Sequence, residues 1–121
     1  MIKGIGIDIV EINRLSKVLS RQPRFPERIL TLNELEVYQT LSEKRQLEFL
    51  AGRFAAKEAF SKAYGTGIGQ HLSFHDMEIH KDDNGKPFIQ SEKLKEDKAH
   101  VSITHTKEYA AAHVLIERLS S

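Results

Sequence analysis

Alternation dominates the start of the chain. In IGIDIV and the glycine before it, Ile5, Ile7 and Ile9 fall on one face and Gly4, Gly6, Asp8 and Val10 on the other, a period of two that predicts a strand. The period then lengthens: Ile12, Leu15, Val18 and Leu19 recur at helical spacing, and the two prolines of RQPRFPER break that helix. Thr31 and Glu34 have the spacing of a capping box and predict a short helix through Tyr38. The longest helical pattern runs from about Glu43 to Tyr64, with Leu47, Leu50, Ala51 and Phe54 as its apolar stripe and Gly65 as its stop. Further on, SFHDMEIHKD and KPFIQ flank DDNG as a hairpin, and SEKLKEDK reads as a short helix or loop. HVSITH and YAAAHVLIE form a second hairpin turning at Thr106, Lys107 and Glu108. Strand, helices and then hairpins predict an α+β fold with a mainly antiparallel sheet, one long helix and several short ones.

Length and composition narrow the class. The 121 residues contain no repeat, low-complexity tract or dividing linker, so residues 1–121 read as a single domain. No apolar run approaches the roughly 18 residues a bilayer requires. MIKGIGIDIV has one lysine and an aspartate within its apolar run, which does not suit a secretory signal. There is no cysteine, hence no disulfide framework or thiolate metal site, which is compatible with a cytoplasmic protein. The net charge of +1 conceals a local excess, since Arg14, Lys17, Arg21, Arg24 and Arg28 are opposed only by Glu27. Such a strip steers acidic partners or is simply a solvated helix face.

The glycines of YGTGIG sit close to lysines but do not make a phosphate loop. Phosphate loops lie between a strand and the start of a helix, whose amides hold the anion. Here the glycines follow a helix, at its negative end. They end the helix and turn the chain, so phosphate affinity must come from the cations on the helix itself. Glu58 lies on the same side of that helix as Leu47, Ala51 and Phe54, and a carboxylate on an apolar face is costly unless partnered. Lys62, one turn later, is its nearest candidate partner, although such pairs ordinarily face water. Asp8 is a second carboxylate in apolar surroundings, among glycines that let something approach closely; its plainer role is a helix N-cap. Two carboxylates from separate elements beside lysines suit an oxygen-ligated Mg²⁺ bridged to a substrate phosphate.

The six histidines are less informative. His71 and His75 lack the H-E-x-x-H pattern, and zinc is not indicated. His105, after a strand and among Ser102, Thr104 and Thr106, suits an anion or a ligand hydroxyl, or is only a turn histidine. Ser102 carries no nucleophile motif. A Mg²⁺-dependent phosphohydrolase of a nucleotide or diphosphate would use the same carboxylates and lysines. A nucleic-acid-binding module would leave Asp8 and Glu58 without a role, and a chain with no Trp and 3 Tyr offers little for stacking on bases.

Four segments together, GIGIDIVEINR at 4–14, FAAKEAFSKAYGTGIG at 54–69, NGKP at 84–87 and VSITHT at 101–106, resemble the 4′-phosphopantetheinyl transferases, and within them the small bacterial members that act on acyl carrier protein. They occur in family order and spacing over essentially the entire chain. Thr104 stands where the family often has serine, which preserves the hydroxyl. The resemblance implies transfer of the phosphopantetheine arm of coenzyme A to a serine of an acidic apo carrier protein, releasing 3′,5′-ADP. It implies Mg²⁺ on Asp8 and Glu58; Lys62, one turn after Glu58, is then placed to neutralise or protonate the departing phosphate, and Lys57 and Ser61 to line the same groove. The serine proton goes to a metal-bound water polarised by these carboxylates or to Glu58 itself. Gly65 and Thr66 are placed by the coenzyme, Asn84, Gly85, Lys86 and Pro87 near its adenine, and Arg53 and His105 near its phosphates. Carrier docking falls to Arg14, Arg21, Arg24 and Arg28. The small members form trimers with sites between subunits, so a homotrimeric cytoplasmic enzyme, of fatty acid and lipid biosynthesis or of another carrier-dependent synthesis, is the expectation, with no nucleic-acid or membrane partner.

Overall fold

In the computed structural model, which describes residues 1–119, the chain runs β1 (Ile2–Glu11), α1 (Ile12–Arg21), α2 (Phe25–Ile29), α3 (Leu32–Thr40), α4 (Glu43–Tyr64), β2 (Glu78–Lys81), β3 (Pro87–Gln90), β4 (Lys98–His105) and β5 (Tyr109–Glu117). Single 3₁₀ turns occur at Phe74–Asp76 and Glu92–Leu94. The expected α+β class holds, with one refinement. The strands divide into an antiparallel three-stranded sheet, ordered β1–β5–β4, and a separate two-stranded hairpin, β2–β3.

The alternation in β1 decides how that strand meets α4. Its glycine face turns inward, and the backbones lie so close that a Cβ on Gly6 would sit 1.9 Å from the carbonyl oxygen of Ala59. A Cβ on Gly4 would meet the carbonyl oxygen of Ala63 at the same 1.9 Å. What the glycines admit is thus the helix backbone itself. The opposite face is left open: Ile5, Ile7 and Ile9 are 60, 65 and 66% exposed.

Helix α4 occupies its expected span. The hydroxyl of Ser42 accepts from the Arg45 amide, and Gly65 at φ 106° closes the other end in the left-handed conformation. Leu50, Ala51, Ala55, Ala56, Ala59 and Phe60 have no exposed surface, so the helix is enclosed well beyond the expected stripe. One apolar cluster packs its later half against the sheet and the β2–β3 hairpin, and a second packs its earlier half against α1 and the end of α2.

Between α1 and α3 the two prolines do more than break a helix. Pro26 lies in the first turn of the five-residue α2, where a missing N–H leaves no bond unmade. Thr31 and Glu34 form the expected capping box at the start of α3, which runs two residues beyond Tyr38. Thr106 makes the second hairpin turn: its amide donates to the carbonyl of Tyr109 and its hydroxyl accepts from the amides of Glu108 and Tyr109. Among the described residues, no helix is long and apolar enough to cross a membrane.

Candidate active site

The close contact of β1 with α4 brings Asp8 and Glu58 to one place. Both line an open groove of about 600 Å³ between β1, α1, α2 and α4. Leu15, Phe25 and Phe54 form part of its apolar wall, and Arg14 reaches it from α1. Phe25 and Phe54 pack against each other with ring centroids 6.0 Å apart.

Burial pushes the Glu58 carboxyl above its ordinary value of 4.5; the like charge of Asp8 pushes the same way, and Lys62 opposes both. Lys62 does not close an ion pair along the helix with Glu58. Its ammonium crosses to β1, donating to the carbonyl of Ile7 at 2.9 Å and to Oδ1 of Asp8 at 3.2 Å. Asp8, Glu58 and Lys62 are therefore gathered as expected, with the lysine bonded to the strand carboxylate. Among the described residues, the Glu58 carboxylate has no ion-pair partner within 4.0 Å.

Two residues expected in this groove lie elsewhere. Lys57 has no exposed surface and points away from Glu58's side of the helix, with its Nζ 2.6 Å from Oε1 of Glu34 and 2.7 Å from the carbonyl of Ile29. Burial draws its pKa down and the Glu34 carboxylate works against that. Ser61 is buried, and its hydroxyl donates to the carbonyl of Glu58 within the same helix. Neither lines the groove.

Arg53 lies one turn before Lys57. Its guanidinium carbon stands 3.9 Å from the centre of the Phe49 ring, and its buried Nε has no hydrogen-bond partner. Burial lowers its pKa, and Glu34 counters this. The side chain is half-buried with only Nε enclosed, and a guanidinium that leaves one bond unmade there suits an anion that approaches its more open nitrogens. His105 ends β4, with Nε2 3.7 Å from a carboxylate oxygen of Glu48 on α4. Gly65 and Thr66 follow α4 at the surface, Thr66 donating to the carbonyl of Gly67. Asn84, Gly85, Lys86 and Pro87 form the tip of the β2–β3 hairpin, where Oδ1 of Asp82 accepts from the amides of Asn84 and Lys86 and Gly85 takes φ 81°. Within one chain, neither the hairpin tip nor His105 lines the groove of Asp8 and Glu58.

The basic strip is exposed along α1 and α2. Arg14 and Arg21 are two helical turns apart on the outer side of α1, with Arg14 at the groove mouth. Arg24 pairs with Glu27 at 3.0 Å, and Arg28 donates to Gln22 at 3.1 Å. Sequence reasoning missed Glu34 as more than a cap. The capping box accounts for that residue completely, so no signal pointed to a second task for its carboxylate.

Comparison with known proteins identifies the family. A family profile described as the 4′-phosphopantetheinyl transferase superfamily matches residues 4–114. The chain belongs to that superfamily. Within it, the chain is 82% identical over 121 residues, the full length of both, to the holo-[acyl-carrier-protein] synthase of Bacillus pumilus. It is 68% identical over the same 121 residues, again the whole of both, to the enzyme of that name from Bacillus subtilis. Among solved structures, a holo-(acyl-carrier-protein) synthase from Bacillus anthracis in complex with coenzyme A (3′,5′-ADP) is 54% identical, superposes with a TM-score of 0.90, and the match covers 97% of each chain. The Helicobacter pylori enzyme in complex with coenzyme A is 37% identical with a TM-score of 0.83, covering 93% of this chain and 99% of that one.

Proposed function

We propose that this protein transfers the 4′-phosphopantetheine arm of coenzyme A to a serine hydroxyl of an apo acyl carrier protein, yielding holo carrier protein and 3′,5′-ADP. The observation that carries this is the meeting of Asp8 and Glu58 at one groove flanked by a basic helix, with Lys62 bonded to Asp8. In the transfer, the serine oxygen forms a bond to the pantetheine-side phosphorus while the bond from that phosphorus to the bridging oxygen of the pyrophosphate breaks. The serine proton is released and 3′,5′-ADP leaves. Charge develops on phosphate oxygens, so catalysis rests on positioning and electrostatic stabilisation.

Asp8 and Glu58 suit a magnesium ion. They are two carboxylates lining one groove, where burial first and the charge of Asp8 second raise Glu58, and a divalent cation would offset both. Among the described residues, no three His, Cys, Asp or Glu side chains gather as a metal cage, so further oxygens would come from phosphate and water. When bound, the ion supplies charge neutralisation at the pyrophosphate. Lys62, already drawn to Asp8, stands beside that charge and neutralises the departing phosphate. Arg53, with its unmade bond, and His105 serve the other phosphates, while Gly65, Thr66 and residues 84–87 serve the nucleotide.

The carrier protein docks on Arg14, Arg21, Arg24 and Arg28 through acidic side chains around its serine. The protein acts as a homotrimer with sites between subunits. The exposed Ile5, Ile7 and Ile9 face supports self-association, and a shared site would join parts that one chain keeps apart. Its cellular place is the cytoplasm, in fatty acid or other carrier-dependent synthesis.

Mass spectrometry tests the reaction: incubation with coenzyme A, Mg²⁺ and apo carrier protein should add the phosphopantetheine mass to the carrier. Glu58→Gln, which keeps the shape and loses the charge, should abolish turnover while remaining folded. Release of 3′,5′-ADP at the same rate without carrier protein would identify a hydrolase instead.

A further inference from the structure

The buried contact between Glu34 and Lys57 has no part in the transfer chemistry, yet it occupies the residue adjacent to Glu58. Lys57 holds two acceptors from different elements: Oε1 of Glu34 in α3 at 2.6 Å and the carbonyl of Ile29, the last residue of α2, at 2.7 Å. Glu34 in turn accepts from the Thr31 amide at 2.9 Å and, through its other oxygen, from the Ile79 amide of β2 at 2.8 Å. One carboxylate and one ammonium therefore tie α2, α3, α4 and β2 together in a region closed to water.

We propose that Glu34 and Lys57 are positioning residues for the transfer site: their contact sets the rotation of α4 about its axis and so the direction in which Glu58 faces Asp8. The inference rests on the assignment of Asp8 and Glu58 as the metal-holding pair. Stability alone is a poor reason to bury such a pair, because apolar residues of similar volume often serve as well or better. What the pair adds is direction. The glycine and alanine seam between β1 and α4 governs how near the two elements lie but gives little purchase against rotation, and Lys62, which also crosses to β1, is exposed to water where the Glu34–Lys57 contact is closed to it. Lys57 is a long lever held at two short contacts. Successive residues on a helix lie about 100° apart, so any rotation that swings Glu58 within the groove also pulls Lys57 off both acceptors. The same ammonium secures the end of α2, whose first residue, Phe25, lines the groove against Phe54.

The test replaces the pair without leaving a buried charge. In Glu34→Leu/Lys57→Met no buried charge remains, but the Ile79 amide and the Ile29 carbonyl lose their partners, so the thermal midpoint should fall by about 10 °C while the chain still folds. Mn²⁺ affinity in the presence of coenzyme A, read by electron paramagnetic resonance, should fall about tenfold or more, as when groups supporting metal ligands are removed. Turnover at saturating carrier protein should fall with it. Parent-like Mn²⁺ affinity and turnover in the double variant would overturn the proposal and leave the pair as packing alone. If the double variant does not fold, Glu34→Gln/Lys57→Met, which keeps an acceptor for the Ile79 amide and removes the lever without leaving a buried charge, decides on the same two readouts. Glu58→Gln run alongside separates the failures. Unchanged metal binding there overturns the metal site and this inference together. Lost binding there with unchanged binding in the double variant overturns this inference alone.

Discussion

Replacing Gly6 by alanine adds one methyl group at the tightest point of the fold. Its carbon would lie 1.9 Å from the Ala59 carbonyl oxygen and 2.8 Å from the Ala63 amide nitrogen. Both are backbone atoms of α4 and cannot rotate aside. Reaching an ordinary contact of 3.4 Å requires β1 and α4 to part by about 1.5 Å along that line. Overpacking that side chains can absorb costs about 1–3 kcal/mol. Here the backbone must yield, so the top of that range, about 3 kcal/mol, is expected, reduced only slightly by the lower chain entropy alanine brings to the unfolded state. For a chain of this size each kcal/mol moves the midpoint by about 4 °C, which gives a drop of about 12 °C. Gly52→Ala is the internal control. Its Cβ would meet only the γ2 methyl of Ile103, at 3.4 Å, and alanine gains about 1 kcal/mol over glycine inside a helix, so its midpoint should rise by about 4 °C. Circular dichroism melts at one protein concentration measure both, since the proposed self-association would also shift the midpoint. A Gly6→Ala protein melting within about 3 °C of the parent would refute the view that backbone contact joins strand and helix.

Other expectations concern the surfaces. Arg24→Glu should raise KM for carrier protein several-fold, an effect that shrinks with added salt, while coenzyme A binding is nearly unchanged. Equal loss of both affinities would contradict the docking role. Ile7→Glu should convert the assembly to single chains in sedimentation velocity without lowering helix content, because Ile7 is 65% exposed within one chain. A parent protein that itself sediments as a single chain would remove the homotrimer.

Local chemistry was legible wherever a local rule governs it. Gly65 marked the end of α4, Thr31 and Glu34 marked the start of α3, and Thr106 to Glu108 marked the second turn, because caps and turns are decided within a few residues. The face of β1 that carries Asp8 could be read from alternation, and so could the need for close approach at its glycines. That the approaching body is α4 depends on contacts some 55 residues distant and leaves no local trace. Lys57 and Ser61 were misplaced for a related reason. Helical spacing gives their angle about the axis, but not which side of an almost fully enclosed helix opens to the groove. Glu34, the partner that holds Lys57, lies 23 residues away in another helix. The prolines end α1 at Arg21 as expected, but the short α2 that starts around Pro26 went unread, since proline forbids the interior of a helix and not its first turn.

The seam between β1 and α4 also bears on how such a site survives sequence drift. The two carboxylates sit on elements that touch backbone to backbone, with no side chain of variable volume between Gly4, Gly6 and the helix. Exchange of aliphatic residues elsewhere in the core changes volumes that do not enter this distance. A lineage can therefore rebuild most of its interior without retuning the separation of Asp8 and Glu58, provided the two glycines remain. The missing side chains act as a gauge block, a spacer whose length is fixed by covalent geometry and is indifferent to the composition around it.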